Sequence, residues 1–455
     1  MPKLGKVQCR RALPVILILA AAFLSEKAAA QDASGALPLL TLDDAIQLAI
    51  ANNRSLKIAG LNVDVSKWQI AAAKTRRLPA FNTYLFGSGQ LVPLDFTFKE
   101  GSLGLLGGKP NPSRDISISP SQSFTAYVVA KAQQPLSQLY KINLGIREQR
   151  LAGDYSSQEF RSKRQSVVAQ VKQAYYAILQ AESGLDATEA SVKHYQEFDR
   201  LMQQYLSQEV VLKSESLDVK AKLAQAQYKV VQLSNNLQTG KEQLNDLLGR
   251  DLSVDFRTQQ VPAITSEEGD LKLAQQTALA QRPEIKEAEI GVKKADYDRK
   301  IAKADYIPDV GLAIHYISPL NVPIVPQNIA SAGVELSWEP FDWGRRRDVV
   351  NQKKLALEQS QYQLKDAQSK VLLDVNNRFR KLDEARVLLG VAKAARDAAN
   401  EKLKEVTDKF GQQAVLLRDV LQQQAAAASA NSDYEQALLS FWTAKADFEK
   451  SLGED

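Results

Sequence analysis

The chain has 455 residues, 44% of them hydrophobic and 7% aromatic, with a formal net charge of +5, one cysteine and two histidines. Five basic residues against one glutamate in the first thirty positions carry most of that charge, so the remainder is close to neutral and offers no electrostatic footprint for nucleic acid. Cys9, His194 and His315 leave no spacing for a metal site or an activated nucleophile, and neither a cofactor nor catalysis is expected.

Lys3, Lys6, Arg10 and Arg11 precede an apolar run from Ala12 to Leu24, and Ala28-Ala29-Ala30 follows as a small-x-small site. Residues 1–30 therefore read as a secretory signal peptide. The thirteen-residue run falls short of the roughly 20 residues of a membrane-spanning anchor helix. Cleavage would remove Cys9.

From Leu42 the chain repeats itself. "LDDAIQLAIANNRSLKIAGLNV" lies over "LKLAQQTALAQRPEIKEAEIGV" from Leu271 without a gap, pairing Ala45 with Ala274, Ala49 with Ala278 and, farther on, Pro79 with Pro308. A second alignment pairs Val171 with Val375, Leu185 with Leu389, and Leu248-Gly249 with Leu452-Gly453. The chain is a tandem duplication with a first structural repeat over 31–249, a linker over 250–270 at mid-height and a second repeat over 271–455. Each copy reads as a helix, a strand pair and two further helices.

In copy one the first helix is expected from Thr41, a suitable N-cap, to Arg77, ended by Pro79. The second runs from about Ser137 to Leu206 and would extend about 105 Å at 1.5 Å per residue. In the third, Val219, Leu223, Ala226, Val230, Leu233, Leu237, Gly240 and Leu244 form a heptad seam with small residues admitted. The first and third helices together match the second in length, so the simplest packing lays them end to end beside it. The chain then doubles back near Tyr205 to Val210 and, in copy two, near Phe410 to Ala414.

Strands are expected over 78–89, 116–131, 309–318 and 329–339. Val310, Leu312, Ile314 and Tyr316 share one face and Gly311, Ala313, His315 and Ile317 the other; Val334, Leu336 and Trp338 oppose Glu335, Ser337 and Glu339. One face suited to lipid and one to water is the pattern of a transmembrane barrel, although a soluble sheet on a core alternates likewise. Four strands cannot close a barrel, because an open edge in lipid leaves backbone groups unpaired. Two chains would supply eight strands and three would supply twelve. "GSLGLLGGKPNP", residues 101–112, lacks the Ser or Thr and the following helix of a phosphate loop, and reads as an extracellular loop. "SWEPFDWGRRRD", residues 337–348, marks the membrane boundary: Trp338 near the interface, Pro340 ending the ladder, Asp342 capping a helix from about Trp343, Gly344 a tolerated turn glycine and Arg345 opening a run of three arginines just below the membrane.

Across essentially the whole remaining chain the sequence resembles the TolC-like outer membrane factor family. The resemblance rests on "LTLDDAIQLAIANN" (40–53), "VKQAYYAILQAE" (171–182), "VVLKSESLDVKAKLAQAQ" (210–227), "ELSWEPFDWGRRR" (335–347) and the two Leu-Gly closings. It implies a mainly α fold with a transmembrane β-barrel: a homotrimer of four strands per chain, twelve in all, continued by a long periplasmic α-helical barrel. The implied role is the outer membrane exit duct of a tripartite efflux pump, passing small molecules from an inner membrane transporter and a periplasmic adaptor to the exterior. The alternatives are the outer membrane channel of a type I protein secretion system or, less well matched, a periplasmic coiled-coil adaptor. The resemblance also implies adaptor contacts at the periplasmic tip, at Ser207, Gln208, Val210, Leu212, Gly411, Gln412 and Val415, and an entrance charge for which Asp419 is the nearest candidate.

Overall fold

The computed structural model describes residues 37–89, 96–118, 124–208, 212–261, 270–322, 325–412 and 414–454. The expected signal peptide, Val210 and the stretch around Pro262 lie outside these residues. In chain order the elements are β1 (Leu39–Leu40), α1 (Leu42–Asn52), α2 (Arg54–Thr75), β2 (Ala80–Gly89), β3 (Phe96–Phe98), β4 (Leu105–Leu106), β5 (Lys109–Pro110), β6 (Ile116–Ile118), β7 (Phe124–Pro135), α3 (Gln138–Ser207) and α4 (Lys213–Leu247). After β8 (Arg257–Thr258) the second copy follows as α5 (Leu271–Gln281), α6 (Pro283–Ala304), β9 (Asp309–Leu320), β10 (Ile329–Ser337), α7 (Arg345–Gly411) and α8 (Leu417–Leu452).

β10, β9, β7 and β2 form one antiparallel sheet in that order. The helices repeat this order: in the upper half α7 packs on α6, α6 on α3 and α3 on α2. Each strand is thus continued by its own helix. In the lower half α8 and α4 take the places of α6 and α2, on either side of the unbroken α3. The chain is a wall four elements wide along its length, with α3 of 70 residues and α7 of 67 running down it for about 100 Å.

The heptad seam of α4 is the face that packs: Val219 and Leu244 are buried and the intervening seam positions half-buried, while their neighbours are mostly exposed. Gly240 lets α3 approach closely, since a Cβ there would lie 3.3 Å from Ile178. At mid-height, Ala45, Ala49, Val171, Tyr175, Leu248 and Phe256 pack into the larger core, and Ala274, Ala278, Ile285 and Val375 into its counterpart in copy two. The aligned alanines and valines of the two copies are therefore equivalent core positions. Tyr175 Oη lies 2.9 Å from the Leu40 carbonyl and accepts from Gln259 N–H at 2.8 Å, tying the parallel β1–β8 pair to α3. Burial raises its phenol pKa. The linker thus contains a strand as well as a polar turn.

Several sequence expectations are corrected. The first helix is two helices in each copy, broken at Asn53 and at the aligned Arg282. Asn53 accepts from Leu56 N–H at 3.1 Å and so starts a new helix, while Pro283 supplies no N–H and starts the other. The second membrane strand is Phe124–Pro135 rather than 116–131, because Ile116–Ile118 belongs to a separate loop ladder with Phe96–Phe98. The other strands begin or end one or two residues from their expected limits: β2 starts after Pro79, β9 continues to Leu320 and β10 stops at Ser337, short of Pro340. α7 begins at Arg345 rather than Trp343, since Trp343 and Gly344 both take positive φ, 56° and 86°, which a right-handed helix excludes.

Candidate channel wall

The sheet has two chemically distinct faces. Register places Phe81, Leu85, Val128, Ile314, Val334 and Leu336 on one face. Phe81 is 78% exposed and Val334 69%, an apolar surface that the described residues leave uncovered. The opposite face carries Asn82, Lys131, Gln133, His315, Ser331 and Glu335, with Gly311 and Ala313 buried among them. Lys131 reaches across β9 to donate to Glu335 at 2.9 Å, a path the small Ala313 and Gly311 leave open. A trough continues this polar face down onto the helices, lined by Gln69, Arg76, Gln138, Lys141 and Gln149. The alternation read in the sequence thus holds along the helix-proximal parts of β9 and β10, and the polar face is shared by strands and helices.

The four strand-to-helix junctions are held by short polar contacts. Ser137 Oγ accepts from Val310 N–H at 2.7 Å, Gln134 donates to the Arg77 carbonyl at 2.9 Å, and Lys141 pairs with Asp305. At the fourth junction Asp342 accepts from Gly344 N–H at 3.1 Å and Arg346 N–H at 3.0 Å, which holds its carboxyl below the usual range. Arg345 and Arg346 both bond the Glu339 carboxylate, at 2.6 and 3.1 Å, and Arg347 pairs with Asp348. The arginine run is therefore neutralised by its own turn. Trp338 projects from the end of β10, exposed like Phe341 and Trp343, and the last two pack edge to face at 4.8 Å. Pro340 sits in the bend between them.

The duplication is clearest at the two helix breaks. Asn53 donates to the Leu247 carbonyl at 2.8 Å, and the aligned Arg282 donates to the Ser451 carbonyl at 3.1 Å, which is the aligned position. Gly249 and Gly453, both at positive φ, close α4 and α8 against these breaks. A Cβ on Gly249 would lie 2.5 Å from the Asn52 carbonyl oxygen, so only glycine fits. Copy two adds charge: Arg282 forks onto Glu284 with two bonds of 3.0 Å, bonds Asp374 at 2.9 Å, and Asp374 leads on to Arg378 and Asp447. Copy one has Asn53, Gln170, Ala174 and Gln243 at the corresponding places, and its joint carries instead the exposed Arg54–Asp246 pair at 3.4 Å. Just above, Glu287 on α6 is pushed up to about 7 by burial and by the nearby Glu284 and Glu159 carboxylates.

At the lower end, α3 ends at Ser207, whose Oγ donates to the Gln204 carbonyl at 2.7 Å, and Gln208 caps it. Leu212 is exposed after the turn. α7 ends at Gly411; Gln412 N–H bonds the Lys409 carbonyl at 3.2 Å, and Val415 is half-buried. Asp419 accepts from Leu416 N–H at 3.2 Å, in the first turn of α8. His194 lies exposed on α3, where its ring contacts Gln424 of α8 at 2.6 Å. Sequence reasoning missed the equatorial ion network; the signal was Arg282 standing directly before a proline at an aligned helix break.

The outer membrane efflux protein family model matches residues 45–250 and 274–454, one block for each copy and most of the chain. The chain belongs to the outer membrane efflux protein family. Among curated proteins it is 22% identical over 305 residues to the alkaline protease secretion protein AprF of Pseudomonas aeruginosa, covering 64% of this chain and 62% of that one. It is 28% identical over 281 residues to the probable efflux pump outer membrane protein TtgC of Pseudomonas putida, covering 60% and 52%. The chain thus spans between half and two thirds of these relatives. Among solved structures it resembles the CmeC outer membrane channel of Campylobacter jejuni with a TM-score of 0.73 at 16% identity, over 90% of this chain and 85% of that one. The family places the sheet in the outer membrane and the long helices in the periplasm, and its members are channel proteins rather than enzymes.

Proposed function

We propose that three copies join edge to edge into a twelve-stranded barrel and a helical tunnel, forming the outer membrane exit duct of a tripartite efflux pump. The observation that carries this reading is the wall itself: strands and helices share one lateral order, one face is apolar and the other polar apart from a band near its outer end, and among the described residues both edges are unpaired. β2 and β10 run in opposite directions, so the edge of one chain pairs antiparallel with the opposite edge of the next, a head-to-tail contact that closes as a ring. The edge helices carry matching apolar stripes. Ile58, Leu61, Val65 and Trp68 lie exposed along one side of α2, and Leu355 and Tyr362 along α7. Twelve strands rather than eight is what the family resemblance supports.

Passage through the duct is passive and involves no catalysis. Energy comes from an inner membrane transporter, and a periplasmic adaptor docks on the tip at Ser207, Gln208, Leu212, Gly411, Gln412 and Val415, with Asp419 as an entrance charge. Trp338, Pro340, Trp343, Gly344 and Arg345 lie at the periplasmic leaflet of the membrane. The functional units are the repeats 31–249 and 271–455 with the 250–270 linker between them. Likeness to TtgC favours small-molecule efflux; likeness to AprF favours protein secretion as the second reading. Reconstituted in planar bilayers, the protein gives discrete conductance steps on this account, and a folded protein that inserts without conductance refutes it.

A further inference from the structure

On the polar face of the sheet the side chains fall into rows that run across all four strands. Tyr84 pairs with Val129, Val129 with Ile317, and Ile317 with Ile329, so one complete row is apolar. The next row outward starts with Phe86 and Tyr127. Below these rows lie Asn82, Lys131, His315 and Ser331; above them Ser88 and Thr125 are bonded to each other at 3.3 Å. An apolar band two rows deep therefore interrupts an otherwise polar surface. Neither lipid nor core packing accounts for it, since lipid meets the other face and Tyr84 and Phe86 are 62% and 61% exposed.

We propose that this band is a luminal collar that binds the apolar part of aromatic organic molecules as they leave the barrel. The inference rests on the three-chain ring of the preceding subsection. Twelve strands about 4.8 Å apart and tilted by about 40° enclose a backbone circle about 24 Å across. Tyr84 and Phe86 projecting inward from every chain leave roughly half that width, so a drug-sized molecule cannot cross the collar without meeting its wall. The nearest charges beneath it, Lys131 and Glu335, are paired with each other. Selection at this level therefore falls on aromatic and apolar contact rather than on net charge.

Single-channel recording in the presence of tetraphenylphosphonium, with tetramethylammonium as a polar ion of the same charge, tests the collar. The parent channel should show current block by tetraphenylphosphonium only. Tyr84→Ser with Phe86→Ser should weaken that block by about tenfold, the loss of one or two aromatic contacts, and raise the open conductance. Tyr84→Phe, which keeps the ring, should retain the block. Both ions blocking alike, or block unchanged in the double variant, overturns the collar. So does a block removed by Leu105→Ser with Leu106→Ser but not by the collar variant, which would put the apolar loop tip at the constriction instead. Conductance steps with unaltered block sink the collar alone; absence of steps in the parent sinks the channel reading with it.

Discussion

Arg282→Ala offers the sharpest test of how the second copy is jointed. The guanidinium is 13% exposed and makes two bonds to Glu284, one to Asp374 and one to the Ser451 carbonyl. Removing one partner of a fully buried ion pair costs about 3–5 kcal/mol. Glu284 and Asp374 are 44% and 37% exposed and regain water, and Asp374 keeps Arg378, which trims the loss. The Ser451 carbonyl at the end of α8 loses a donor, and the net expectation is about 2–3 kcal/mol. Denaturant unfolding in detergent should show a lower midpoint at unchanged slope. Arg282→Lys should recover part of the loss, since an ammonium keeps the charge but not the fork. In copy one Asn53→Ala should cost about 1–2 kcal/mol, a cap and a neutral hydrogen bond. If Arg282→Ala stays within about 0.5 kcal/mol of the parent, as ordinary surface substitutions do, the ionic joint is not structural.

Gly249→Ala should unfold the mid-height junction, because φ of 66° and the 2.5 Å approach to the Asn52 carbonyl both exclude a Cβ; a circular dichroism melt should fall well below that of Gly145→Ala, where a Cβ meets open space. Glu287 binds its proton more tightly folded than unfolded, so its contribution is fully present below about pH 4.5 and is lost as pH rises through about 7. Glu287→Gln should therefore raise the melting midpoint at pH 8 and leave it unchanged at pH 4. Leu312→Arg on the lipid face should cost about 2–4 kcal/mol in a bilayer refolding assay, against little for Ser331→Arg on the polar face.

Most of the wall was legible in the sequence because its order is periodic. The seam from Val219 to Leu244 and the alternation from Val310 to Ile317 each follow one period without interruption. The breaks at Asn53 and Arg282 were not, since the apolar spacing runs straight through both and only capping chemistry marks the interruption. The strand at 116–131 was misplaced for a related reason: Phe96, Phe98, Ile116 and Ile118 alternate as membrane strands do, although they pair within a loop. The luminal rows needed register, because Tyr84, Val129, Ile317 and Ile329 are neighbours only once four strands are aligned. The tip residues lie at the lower end of the wall by helix length alone, and their partners are not written in a single chain.

Native mass measurement of the detergent-extracted complex shows whether walls four elements wide close into a ring. A closed wall gives a single species of three chains, reduced to monomers by Val65→Asp with Leu355→Asp at the two facing edges. A parent protein that is monomeric, or a ring of two chains, contradicts it.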